Sequence, residues 1–308
     1  MRRVFVCMVL ATLAFLAGAC VTKDGVSNRT KVPTAQLPVV KDATLEDLLA
    51  KYNATASGVN SLNATVELKP TAGSKYSGVI EEYHEVKAFL LAQRPARIRM
   101  IGQAPVIGKT VFDMASDSET FRVSIPSKNK FLVGAVSAER AGSKPIENLR
   151  PQHLLGALLW PEIQKKESVL FEEFNDENAR YYVLTVLRGG YQTEILRKIW
   201  FDRADLQVAR LQAFGPKGFL LSDARFSDWE PVDTSSTTPA SPGLPASFPR
   251  VIRILRPHDD YLLDLQILKI TLNDDIAADR FKLDQPPGSE LVHVGDNDDQ
   301  PSNKDSKP

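Results

Sequence analysis

Two periods run through this chain. In "TLEDLLAKYNATA", Leu45, Leu48, Leu49 and Tyr52 recur three and four residues apart, which predicts an amphipathic helix. Thr44 is placed to cap it, with Asp47 three residues on in the spacing of a capping box. Beyond this helix the period falls to two. Leu62, Ala64, Val66 and Leu68 alternate with polar residues, as do Ile98 and Met100 with Arg97 and Arg99, and Phe121, Val123 and Ile125 further on. Such alternation predicts strands with one buried and one wet face, the habit of antiparallel sheets. Turn signals separate them: "SDSE" at 116–119, "PSKNK" at 126–130, "RADL" at 203–206 and "GPKG" at 215–218.

A second helix is predicted in "PQHLLGALLWPE". Pro151 suits its start, Leu154, Leu155, Leu158 and Leu159 share one side, and Pro161 stops it. Strands resume in "RYYVLTVLR", "LRKIWFD", "LQVARLQAF" and "GFLLSDARFSDW". After the low-complexity loop "DTSSTTPASPGLPAS" come "RVIRILR" and "DYLLDLQILKITL". These last strands are apolar in both phases: Val251 and Leu255 lie on one, Ile252 and Ile254 on the other. A sheet apolar on both faces is expected to have both covered.

The ends of the chain read differently. "MRRVFVCMVLATLAFLAGAC" has a basic start, Arg2 and Arg3, and an apolar run from Val4 to Ala17 that is short for a bilayer span. It closes on Ala17-Gly18-Ala19-Cys20, which resembles a bacterial lipobox with Ala17 where Leu is commonest. The resemblance implies removal of 1–19 as a signal peptide, and a mature chain whose first residue, Cys20, carries a diacylglyceryl thioether and an N-acyl group. Val21, Thr22 and Lys23 follow it, with no Asp beside the cysteine, so by the enterobacterial sorting rule the outer membrane is the expected destination. Residues 20–43 form a polar, proline-punctuated tether. Residues 44–295 form one domain. The charged end "GDNDDQPSNKDSKP" predicts a disordered tail over 296–308.

Of two cysteines, Cys7 leaves with the signal and Cys20 is the lipidation site, so no internal disulfide is expected. The full chain balances 38 basic against 38 acidic side chains. Such a balance gives no electrostatic grip on nucleic acid.

"GQAPVIGKT", Gly102 to Thr110, ends as the phosphate loop of an NTPase ends. Such a loop needs four residues between its glycines, whereas Gln103 to Ile107 makes five, and the "VFDMASDSETFRV" that follows does not read as the required helix. His84, His153, His258 and His293 are scattered; His84-Glu85 lacks the second histidine of a zinc motif and reads as a half-buried strand residue. There is no G-x-S-x-G elbow. Glu81-Glu82 and Glu172-Glu173 are adjacent, so on strands they face opposite ways. Trp160, Trp200 and Trp229 read as core or cavity wall. No catalytic residue, cofactor or metal ligand is expected.

The order of pieces behind the lipobox resembles the LolA/LolB family of lipoprotein carriers and receptors. The opening helix, "RPARIRMIGQAPVIGKTVFDMASD", the mid-chain helix, the hairpins around "KIWFDRADLQVARLQAFG" and the closing "NDDIAADRFKLDQPPGSELVHV" carry the resemblance over most of 44–295. It implies a mainly β fold, a strongly curved antiparallel half-barrel closed by a few helices over an apolar cavity for acyl chains. The anchor favours the LolB-like side: a monomeric, lipid-anchored protein at the periplasmic face of the outer membrane, binding acyl chains or lipoproteins, with a soluble LolA-like donor as a candidate partner. In such receptors the loop matching 102–110 carries a protruding apolar residue for membrane delivery; Val106 and Ile107 hold that place here. The alternative is a non-catalytic structural or regulatory periplasmic module that binds a partner protein.

Overall fold

The computed structural model describes residues 39–74, 77–105, 107–137, 150–175, 179–190, 193–232 and 245–294. Both expected helices form. Helix α1 (Leu45–Gly58) opens on the expected box: the Asp47 N–H donates to Thr44 Oγ1 at 3.2 Å and the Thr44 N–H to Asp47 Oδ2 at 3.0 Å. Helix α2 (Gln152–Leu158) follows Pro151 and ends before Pro161.

Among the described residues, fifteen strands make one sheet. In chain order they are β1 (Ser61–Ser74), β2 (Val79–Glu82), β3 (Val86–Gln93), β4 (Arg97–Gln103), β5 (Thr110–Ser116), β6 (Thr120–Ile125) and β7 (Lys130–Ala135). After α2 come β8 (Ser168–Asn175), β9 (Arg180–Arg188), β10 (Glu194–Asp202), β11 (Val208–Phe214), β12 (Leu220–Pro231), β13 (Ser247–Arg256), β14 (Tyr261–Leu272) and β15 (Glu290–Val294). Across the sheet the order is β15-β7-β6-β5-β4-β3-β1-β14-β13-β12-β11-β10-β9-β8, with β2 beside β1. The two halves of the meander are thus joined by β1 and β14, which are far apart in sequence. Every pairing is antiparallel except β15 with β7, so the sheet is mixed where alternation predicts purely antiparallel. The outermost strands, β15 and β8, do not pair with each other, and the sheet stays open.

The sheet is curved around its helices. Helix α2 touches both β4 and β13, four ladder steps apart. A flat sheet would set those strands about 19 Å from one another, wider than a helix of about 10–12 Å. The register is staggered as well. A row through the middle of β8 runs Glu172, Val183, Trp200, Arg210, Arg225, Arg253, Asp264, Lys69, and there it passes the end of the β1/β3 ladder at Leu68↔Val86. Such shear accompanies the tilt of strands in barrels.

One apolar cluster fills the concave side. Leu48, Tyr52 and Ala56 of α1 and Leu154, Ala157 and Leu158 of α2 pack on inward residues from β5 round to β9, among them Met114, Leu90, Leu265, Ile252 and Leu184. The expectation that both apolar phases of the late strands are covered is met on one side only. Ile252 and Ile254 are buried, while Leu255 remains 40% exposed, because both helices lie on the inner face. On the first half of the sheet the outer face is covered by the closing segment, where Ile276 and Phe281 pack on Leu91 and Leu283 packs on Ala115 and Phe131.

Candidate functional site

The opening motif is a hairpin tip between β4 and β5. The Ala104 N–H donates to the Lys109 carbonyl at 2.8 Å, the Gly108 N–H to the Ala104 carbonyl at 3.2 Å, and the Ile107 N–H to the Pro105 carbonyl at 2.8 Å. Gly108 has φ +61 and a Cβ there would meet nothing within 4 Å, so the backbone conformation, and not space, favours glycine. At the base, the Phe112 ring lies 2.3 Å from where a Cβ on Gly102 would stand, so only glycine lets that ring lie across the strand. Strand, not helix, follows Thr110; the backbone amides that a phosphate loop aims at its ligand have no counterpart here. Ile107 is 73% exposed. Val106 and Cys20 lie outside the described residues.

Beneath the curved sheet, the interior is organised by aromatic rings. Trp160 stacks on Tyr52 at 5.5 Å and 10°, tilts against Phe226 at 5.3 Å, and meets Trp229 edge-on at 6.1 Å. The polar atoms of both inner rings are satisfied: Tyr52 Oη donates to the Pro161 carbonyl at 2.9 Å and Trp160 Nε1 to the Ala157 carbonyl at 3.1 Å. Burial pushes the Tyr52 hydroxyl well above its ordinary pKa, so it stays neutral. Arg94, from the β3–β4 turn, ties the layers together. Its guanidinium donates to the carbonyls of Val59 (3.0 Å), Ala56 (2.6 Å) and Trp160 (2.7 Å), capping the end of α1 and holding the segment after α2. These side chains lie on the concave side of the sheet, where the acyl cavity is expected.

A second polar centre sits at the start of α2. His153 Nδ1 and Tyr261 Oη are 2.6 Å apart, 108 residues distant in sequence. Arg150, 4% exposed, lies over the Phe121 ring at 5.0 Å, and Arg256 pairs with Asp259 at 2.7 Å. Burial, with Arg256 and Arg150 adding to it, drives the His153 pKa down to about 2. The imidazole is therefore neutral wherever the protein is folded. The Gln152 amide, alongside, buries both its oxygen and its nitrogen without a hydrogen-bond partner.

The other candidate residues separate as their spacing requires. Glu172 accepts from Thr185 Oγ1 at 3.3 Å on the outer face, while Glu173 pairs with Arg203 on the inner. His84 is exposed in the connection between β2 and β3, not half-buried in a strand. Trp160 and Trp229 belong to the inner cluster, but Trp200 does not: its neighbours Ile199 and Phe201 point inward, so it stands on the outer face. Among the described residues no three His, Cys, Asp or Glu side chains gather as metal ligands, and no helix is long and apolar enough to cross a membrane.

Open clefts mark the surface of the described residues, among them the following. One of about 400 Å³ is lined by Arg94, Asn273 and Asp274; one of about 350 Å³ by Arg97, Asp117, Arg122 and Phe281; one of about 290 Å³ by Phe174, Tyr181, Trp200, Ala209, Arg210 and Arg225.

Several solved structures match the chain at low identity. The chain is similar in fold to a LolA superfamily protein from Nitrosomonas europaea. They are 13% identical, with 79% of this chain and 99% of that one covered and a TM-score of 0.46. A DUF1329 family protein from Desulfovibrio piger is 12% identical over 77% of this chain and 95% of that one, with a TM-score of 0.48. A domain described as an outer membrane lipoprotein-sorting protein, from Vibrio parahaemolyticus, is 11% identical over 76% and 95%, with a TM-score of 0.45. No protein-family model and no curated protein matches the chain.

Proposed function

We propose that this protein is a lipid-anchored receptor or carrier at the periplasmic face of the outer membrane. Its half-barrel takes up an acyl chain, free or on a lipoprotein, and the 104–109 loop delivers it to the bilayer. The observation that carries this reading is Ile107, a β-branched apolar side chain left 73% exposed at the tip of a braced hairpin, on a chain whose Ala17-Gly18-Ala19-Cys20 resembles a lipobox. Exposure of that kind is costly in water and gains about 1.5–3 kcal/mol on burial in lipid. Val106 and Ile107 together then bias docking of a domain already tethered through Cys20, without anchoring it alone. One acyl chain transferred from water gains about 0.8 kcal/mol per CH₂, on the order of 10 kcal/mol in all.

The test has three arms. Cys20→Ala should leave an unprocessed, unacylated precursor. In the chain freed of its lipid, Val106→Glu with Ile107→Glu should keep folding and fatty-acid binding while liposome association falls by tenfold or more. A fluorescent fatty acid should bind saturably; failure to bind at concentrations that saturate a known carrier sinks the carrier reading. A second reading, a module that binds a partner protein, draws on the sheet's free edge. Among the described residues, strand β8 pairs only with β9 and exposes Leu170, Phe171 and Phe174, the kind of edge that accepts an added strand. Mass spectrometry of the purified protein separates the two: co-purifying lipid for the first, none for the second.

A further inference from the structure

The outer face of β10–β13 holds a feature that neither lipid carriage nor folding requires. The row Trp200, Arg210, Arg225, Arg253 places three guanidinium groups directly across from one another on successive strands. Like charges opposite each other in a sheet are destabilising. Two are compensated. Arg210 forms a two-point pair with Asp223, its Nε at 2.7 Å from Oδ1, and Arg253 does the same with Asp264 at 2.6 and 3.0 Å. Arg225, exposed between them, has no carboxylate, carbonyl or ring partner among the described residues. One positive charge in the row is therefore left over.

That charge borders the 290 Å³ cleft whose other walls are the rings of Phe174, Tyr181 and Trp200 together with Ala209 and the Asp223-paired Arg210. Trp200 receives Phe174 edge-on at 5.3 Å and Tyr181 at 5.6 Å, with the Arg210 guanidinium 5.4 Å from its ring centroid. The indole N–H is held by Gln212 Oε1 at 3.1 Å, which orients the ring. Small-molecule sites run from about 300 Å³ upward, so this one fits a single ring and not a chain. A lone uncompensated cation matches one negative charge; a phosphate dianion would need a second. A guanidinium takes a carboxylate in a planar, two-point geometry, and aromatic walls take the flat face of a ring.

We propose that the cleft between Trp200 and Arg225 binds a small ring-bodied monocarboxylate, a sugar acid or an aromatic acid. The carboxylate lies on Arg225 and the ring among Phe174, Tyr181 and Trp200. The test follows the Trp200 indole N–H by NMR in the purified full chain, the signal being assigned with Trp200→Phe, during titration with glucuronate, benzoate, glucose, acetate and inorganic phosphate. Saturation by glucuronate alone identifies a sugar acid as the source, and by benzoate alone an aromatic acid. Either requires half-saturation below about 10 mM, with glucose, acetate and phosphate at least tenfold weaker. Arg225→Gln removes an exposed side chain without a partner, leaves the fold intact, and is expected to weaken binding about tenfold or more. The proposal is overturned if neither ring acid saturates, if acetate or phosphate competes equally, or if Arg225→Gln binds as the parent does.

Discussion

Trp160 and Trp200 stand on opposite faces of one sheet and show how differently it treats them. Both have a satisfied indole N–H and three ring neighbours or ring-directed contacts. Around Trp160 the neighbours are Tyr52, Phe226 and Trp229, and the polar atoms that reach it are backbone carbonyls or a donor already tied to one. Around Trp200 the polar partners are side chains: Gln212, Arg210 and, through it, Asp223. A ring walled by apolar groups and backbone stabilises a core. A ring walled by charged side chains in open water remains available to a ligand.

The difference is sharpest in truncation. Trp160→Ala should cost about 3–5 kcal/mol in urea unfolding, because four packed rings lose their centre. Removing the clamp behind it comes next. Arg94→Met leaves three carbonyls without their donor and should cost about 2–3 kcal/mol in the same assay.

His153 carries the inner-face environment into pH. Unfolded, it titrates near its ordinary 6.5; folded, near 2. As pH falls the unfolded chain takes the proton first, so stability declines from about pH 6.5 downward, by about 2 kcal/mol at pH 5. In His153→Gln that slope should vanish between pH 6.5 and 4, whatever the variant's absolute stability. If the slope persists, other groups control the acid limb.

The outer face should respond less. Trp200→Ala is expected to cost about 1–2 kcal/mol, lost from ring contacts and the Arg210 interaction. Ile107→Glu, at the exposed tip, should change unfolding by no more than about 0.5 kcal/mol. A larger loss would mean that Ile107 packs against the body and is no membrane hook.

Much of this was legible in the sequence because local rules govern it. The Thr44–Asp47 cap, the stop before Pro161, and the hairpin from Arg97 to Ser116 each follow from residues within one turn or strand of each other. Separation of Glu172 from Glu173 needed only the two-residue period. What stayed hidden depends on register between distant segments. The His153–Tyr261 pair spans 108 residues, and the arginine row exists only once β10 to β13 are aligned. The parallel docking of β15 on β7 is another case: "ELVHV" reads as an ordinary strand, and nothing local tells its direction. Trp200 was misread for the same reason, since a large apolar ring suggests the inside until its neighbours Ile199 and Phe201 claim that face.

The free edge at β8 also bears on how crowded this protein can become. An eight-residue edge strand, in which alternate residues turn their backbone N–H and C=O groups away from β9, invites a second copy to continue the sheet. In the antiparallel register that sets Leu170 against Phe174 of a neighbour, Glu172 falls directly opposite Glu172 of that neighbour. The most adhesive alignment of the strand is thus the one in which two carboxylates repel. Resistance to self-association at high local concentration then rests on Glu172, in the middle of an outer face that is otherwise sticky.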